Sequence, residues 1–310
     1  MSESSRAALR SEASESGGEE TLASGNRPMA GAVYLLIAST GFALMAGSVK
    51  AAGEVVGTFT VVLARSLVIL LVLAPVMRWR RIPLLTRSHP LLYLRCLFGT
   101  CTLLFYYFAL QRAPFAEVVV LVNTAPLFMP ILGILFLGER PKPLLIVLQL
   151  VGFAGVVAIM GPQLEQLDWG LLFALIAAFS TALAMTCLKK LTARERPMTL
   201  VFTFALWTAI VGLPWGCRVA PSDLNAAWVP LVLTGVFAFV GQLFITQALA
   251  CSAAGVVMLL SYFGVFLAFA LGLLIWGETA STRSVCGALL VLAACGLTSW
   301  WAPRLVEKGG

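Results

Sequence analysis

The sequence predicts an all-α integral membrane protein of ten transmembrane helices, arranged as two inverted five-helix repeats. Three observations lead there: a composition that only lipid can solvate, ten apolar stretches of spanning length, and a duplication that holds one register over a hundred positions.

Sixty per cent of the 310 residues are hydrophobic and 11 per cent are charged, with a mean hydropathy of +0.96. Packed soluble domains keep about a quarter of their residues charged, so a soluble fold of this size is excluded. Residues 1–30 differ. They are rich in Ser, Glu, Gly and Ala, contain no apolar run before Ala30, and read as a disordered cytoplasmic tail rather than a cleaved signal.

In lipid every backbone amide must pair internally, so apolar stretches of roughly twenty residues become helices. The expected spans are 31–51, 57–77, 91–110, 117–138, 143–160, 168–188, 198–217, 228–250, 256–276 and 283–301. With the N-terminus inside, the inward loops carry Arg78, Arg80, Arg81, Arg87, Arg140, Lys142, Lys189, Lys190, Arg194 and Arg196. The outward loops carry only Lys50, Arg112, Arg218 and Arg283. That asymmetry places both termini in the cytoplasm, with a bacterial plasma membrane as the expected location. It also accounts for the net charge of +7 without nucleic acid, because no basic stripe with interleaved aromatics exists.

Residues 31–141 match residues 170–280 at a constant offset. Lys50 falls on Lys189, Pro75 on Pro214, Phe98 on Phe237, Ala109-Leu110 on Ala248-Leu249, Gly133 on Gly272 and Gly138-Glu139 on Gly277-Glu278. Leu and Ala match by accident in any membrane protein, but Lys, Pro and Gly-Glu holding one register do not. The expected organisation is a repeat over 31–162, a second over 163–301 and a cytoplasmic C-terminal tail over 302–310. Five spans per unit is an odd number, so the second copy enters from the opposite face. Inverted repeats commonly serve alternating access around a site near the midplane.

The run FALQRAPFAEVVVLVNTAPLFMPILGILFLGER, residues 108–140, resembles the signature of the drug/metabolite transporter superfamily, EamA type. The second copy, ALACSAAGVVMLLSYFGVFLAFALGLLIWGET, repeats it with Gly264-Val265 in place of Ala125-Pro126. Arg65 and Arg95 also stand where that family usually has Arg. The resemblance covers about residues 31–301 and implies a secondary transporter of a small organic metabolite, anionic or amino-acid-like. The second half has Phe204 and Thr234 opposite Arg65 and Arg95, so anion recognition is expected to be one-sided.

Arg65 lies near the middle of the second span, where a cation costs about 3 kcal/mol on insertion scales and must face a cavity, a partner or backbone carbonyls. It reads equally as a fork for a carboxylate or phosphate and as a clamp on helix ends. Arg95, near the inner end of the third span, is expected to snorkel to the headgroups, with solute binding as the second reading. Tyr106, Tyr107, Asn123, Thr124, Trp207, Gln242 and Tyr262 are the larger polar or amphipathic groups within spans, and Asn123 and Tyr262 hold matching repeat positions. Pockets combine an apolar lining with a few such groups, although each singly is more often interhelical glue. Glu139 and Glu278 are expected to cap the next helix in sequence. Gly152, Gly155, Gly287 and Gly296 mark a packing seam or the face of a homodimer.

No GxxxxGK[ST] loop or HExxH motif occurs, the one histidine is His89, and the fourteen carboxylates lie at span ends, in loops or in tails. The seven cysteines form no CxxC pair. These absences weigh against an intramembrane enzyme, the first alternative to a transporter, and predict no metal or other cofactor. A non-transporting scaffold is the second alternative. Arginine keeps its proton at physiological pH, so a carrier working without obligatory proton loading is expected, with Glu54, Glu117, Glu139 and Glu278 as the only candidates for coupling.

Overall fold

A computed structural model of the chain describes residues 28–53, 55–84, 90–112, 118, 121–160, 169–267 and 281–308. Ten α-helices are described: α1 Pro28–Gly53, α2 Thr58–Trp79, α3 Pro90–Arg112, α4 Ala125–Leu132, α5 Pro143–Met160, α6 Trp169–Thr192, α7 Pro197–Gly216, α8 Pro221–Cys251, α9 Ala254–Leu260 and α10 Thr282–Leu305. Residues 1–27, Glu54, Arg87, His89, Glu117 and 268–280, with Gly272, Gly277 and Glu278, lie outside the described residues.

Five of these helices open on a proline, at Pro28, Pro90, Pro143, Pro197 and Pro221. At a first helical position the missing N–H costs nothing, and the fixed φ already suits the helix. Six helices, α1, α2, α3, α6, α7 and α8, are long and apolar enough to cross a membrane. Shorter apolar helices run over Ala125–Leu137, Pro143–Ile159, Ala254–Leu267 and Thr282–Thr298. Side chains such as Leu71, Leu135 and Leu289 are 73, 68 and 61 per cent exposed, an outer surface suited to acyl chains and not to water.

The fourth span of each repeat departs from expectation. Neither 117–138 nor 256–276 is one continuous helix. A turn at Asn123-Thr124 precedes α4, which runs on as a π-helical turn over Gly133–Leu137. A turn at Ser261-Tyr262 follows α9, and helix resumes over 263–267. The two breaks share a register position, since Tyr262 is the repeat counterpart of Asn123. At each, a hydroxyl donates back to a carbonyl three residues earlier: Thr124 Oγ1 to Leu121 O and Ser261 Oγ to Met258 O, both at 2.6 Å. Such back-bonding competes with the helical ladder, and at the first break Pro126 removes a further donor.

The main packing pairs are α1 with α8, α3 with α6, α2 with α7 and α5 with α10. Exchanging the halves turns the first pair into the second and returns the last two unchanged, so the packing carries the symmetry of the duplication. Thr60 Oγ1 bonds Gly216 O and Ser66 Oγ bonds Thr208 Oγ1. As the α2 number rises, the α7 number falls, so these repeat counterparts lie antiparallel. Gly155 and Gly287 meet backbone to backbone: a Cβ on Gly287 would lie 2.7 Å from Gly155 O. With Gly152 against Tyr262, three of the four glycines are used up in the seam between α5 and α10, while space beside Gly296 is open.

Glu139 corrects another expectation. It does not cap α5, the next helix; its Oε1 accepts the N–H of Ala254 at 3.2 Å, at the first turn of α9 in the other half. Gly138, at φ +65°, turns the chain there through a conformation that glycine adopts freely. Lys189 Nζ donates to Leu249 O and Ser252 O, both at 2.6 Å, closing the end of α8. Residues 302–308, expected as tail, complete α10 and form a strand, β2 Val306–Lys308, antiparallel to β1 Glu139–Pro141.

Candidate functional site

One face of α3 presents Arg95, Gly99, Leu103 and Tyr107 at a spacing of four residues, and the three with side chains are all buried. Residues at that spacing stack along one side of a helix. Arg65 on α2 and Phe204 on α7 meet this face. The Arg95 guanidinium carbon stands 4.3 Å from the centre of the Phe204 ring, and that of Arg65 stands 6.0 Å from it. Arg65 is within electrostatic reach of both Arg95 and Tyr107.

Arg95 does not snorkel. It is 4 per cent exposed, and its Nη1 lies against the Cα of Gly99, one turn further into the span, in space that a Cβ would fill. Gly99 therefore makes room for a guanidinium turned inward. Arg65 is 1 per cent exposed and is the largest of the fully buried side chains.

Neither cation has a carboxylate partner among the described residues. Arg65 Nε and Nη2, Arg95 Nε and the Tyr107 hydroxyl are buried without any hydrogen-bond partner there. A guanidinium over a desolvated ring gains about 2 kcal/mol. Burying an unpaired ion costs several kcal/mol. The ring contact thus offsets only part of the penalty, and no described residue brings the arrangement negative charge.

The other candidates scatter. Tyr106 packs on Tyr107, ring centres 5.9 Å apart, at the edge of the site. Trp207, one turn from Phe204, faces outward with Tyr93 and lines an open groove of about 670 Å³ with Pro90, Leu94 and Leu97. Those neighbours on α3 are half exposed, so the groove belongs to the lipid-facing surface. Tyr262 is fully buried against Gly152, its hydroxyl unpartnered, on the α5 and α10 side. Asn123 sits at the break before α4. Gln242 is 7 per cent exposed on α8, next to Gly241, where Phe42 of α1 crosses. Sequence reasoning missed Phe204 as a platform and Gly99 as a recess. The signals were there: Phe204 is the repeat counterpart of Arg65, and Gly99 follows Arg95 by one turn. No group of three or more His, Cys, Asp or Glu capable of holding a metal occurs among the described residues.

Comparison with known proteins gives the same class. The pseudopaline exporter of Pseudomonas aeruginosa is 28 per cent identical over 86 per cent of this chain and 94 per cent of its own length. A riboflavin transporter of Vibrio cholerae is 26 per cent identical over 89 and 95 per cent. An S-adenosylmethionine uptake transporter of Rickettsia bellii is 32 per cent identical over 34 per cent of this chain and 37 per cent of its own. A solved structure superposes with a TM-score of 0.75 at 22 per cent identity, covering 90 per cent of this chain and 99 per cent of that one, which shows the shared fold. These relatives are named as transporters of small metabolites, not as enzymes. The family model described as EamA-like transporter matches twice, over residues 29–161 and 168–300, and the chain is a multi-pass membrane protein belonging to the EamA-like transporter family.

Proposed function

We propose that the chain is a ten-crossing secondary transporter that carries a small organic anion by alternating access between two inverted halves, residues 31–162 and 163–301. Its place is the plasma membrane, with both termini cytoplasmic. The observation behind the anion is the pair of buried guanidiniums flanking Phe204, with no carboxylate beside them among the described residues. An interior that lacks negative charge is completed by a solute that brings it. The antiparallel packing of α2 on α7 supports inversion. The hydrogen bonds of that pair, from Thr60 and Ser66, bracket Arg65 on α2, and repeat transporters hold their solutes at the interface between repeats. Asn123 and Tyr262, at the two helix breaks, are the second group of proposed solute contacts.

Reconstitution into liposomes tests this. Purified chain should give saturable exchange of a labelled anionic metabolite from a panel of carboxylates and phosphates. Arg65→Leu should remove most of that flux while the protein remains in the bilayer. Undiminished exchange by the leucine variant would overturn the anion site.

A further inference from the structure

We infer that the charged end of the solute is a compact dianion, held by Arg65 and Arg95 together, and that the site rejects monoanions and zwitterions. The inference rests on the anion-transport reading above and adds the charge count. The unpartnered atoms of the site are Arg65 Nε and Nη2, Arg95 Nε and the Tyr107 hydroxyl. All of them can donate a hydrogen bond, and the two side chains on the ring carry a charge each. The carboxylates with described side chains are elsewhere: Glu139 at the start of α9, Glu195 in the turn between α6 and α7, Asp223 in the first turn of α8.

Two like charges on one ring repel. A single negative charge satisfies one fork and leaves the other buried and uncompensated. A zwitterion brings an ammonium beside two guanidiniums, with no carboxylate among the described residues to receive it. A group with two negative charges a few ångströms apart neutralises both forks and accepts every free donor. The geometry allows it, because the two guanidinium carbons, 4.3 and 6.0 Å from one ring centre, are at most about 10 Å apart and arginine forks grip carboxylate and phosphate alike. A short dicarboxylate and a phosphate monoester share this chemistry.

Thermal unfolding of the full-length chain in detergent separates the cases, since a ligand that binds the native state raises its midpoint with concentration. The probes are succinate, glycerol 3-phosphate, monomethyl succinate, which keeps the length but halves the charge, and glycine. Succinate or glycerol 3-phosphate should raise the midpoint at concentrations at least tenfold lower than monomethyl succinate, and the one that does so names the source of the charge. Glycine should do nothing. Arg65→Gln and Arg95→Gln should each erase the preference, while Arg65→Lys, which keeps the charge and the fold, should retain it with weaker half-saturation. Equal response to succinate and its monoester, lost in both glutamine variants, overturns the charge count and leaves anion transport standing. Absence of response to either dianion overturns the inference outright. Liposome exchange that survives Arg65→Leu sinks the underlying reading instead.

Discussion

Glu139 supplies to Ala254, across the boundary between the halves, the helix cap that the sequence around α9 lacks. The residue preceding α9 is Ala253, whose side chain can accept no hydrogen bond, and the acceptor 3.2 Å from the Ala254 N–H is Glu139 Oε1. Glu139→Ala should therefore cost about 1 kcal/mol, the usual worth of a cap. Glu139→Gln, which keeps an acceptor oxygen, should lose less than half of that. Thermal midpoints of the purified variants check both, and equal losses would show that charge, not the cap, is what matters.

Lys189 should matter more. Its ammonium closes two carbonyls at the end of α8, and hydrogen bonds from a charged donor are worth about 1.5–3 kcal/mol each. Lys189→Met is expected to lower the unfolding midpoint further than Glu139→Ala, with Lys189→Arg intermediate. A methionine variant as stable as the parent would mean that water replaces both bonds.

Gly99→Ala is expected to fold and fail. The added methyl occupies the place of Arg95 Nη1, the far end of a flexible side chain, and presses on Phe204. The guanidinium swings away and the platform tilts. Exchange in liposomes should fall about tenfold or more at limiting solute, in line with a misplaced binding group, while the yield of membrane-inserted protein stays near that of the parent.

The seam between α5 and α10 offers a contrast within one helix. A Cβ on Gly287 would sit 2.7 Å from Gly155 O and 2.8 Å from Ile159 N, both backbone atoms. Gly287→Ala should cost about 1–3 kcal/mol, as overpacking does. Gly296→Ala, with open space around it, should be neutral. Chemical cross-linking of Gly296 variants is also the place to look for a homodimer, since the other three glycines are already occupied within the chain.

Topology can be read with a native probe. Cys217 is exposed at the end of α7 and falls on the outer face in the proposed arrangement. A membrane-impermeant maleimide added to intact cells should label a variant that keeps Cys217 alone, and should spare a single cysteine placed at Arg194 until the cells are opened. The reverse pattern would invert the orientation.

Hydropathy located the apolar helices because it reports where lipid is, but lipid and helix do not end together. The eighth span was expected from residue 228, yet α8 begins at Pro221 and carries Ser222, Asp223 and Asn225 beyond the apolar stretch. The broken fourth spans were hidden for a similar reason: Thr124 and Ser261 look like polar residues in an apolar run, and whether a hydroxyl bonds back to its own helix depends on geometry. That Arg65 would be buried and in need of compensation was legible, because a charge in mid-span always needs a reason. Arg95 was misjudged because the direction of a flexible side chain is decided by the space around it, and that space is created by a glycine one turn away and a ring from the other half.

Arg65 and Phe204 hold the same place in the two copies, and the guanidinium of one stands 6.0 Å from the ring centre of the other. Two identical copies would offer a solute two equivalent poses, reversed end for end. With cations on α2 and α3 and a phenyl ring from α7, the proposed transporter has one pose left: a solute gripped by the guanidiniums would turn its charged end to the first half and the remainder of its body to the second. In the proposed mechanism the duplication supplies a frame that rocks equally well in either direction. There, the loss of symmetry at two positions, Arg65 against Phe204 and Arg95 against Thr234, would give the passenger a head and a tail.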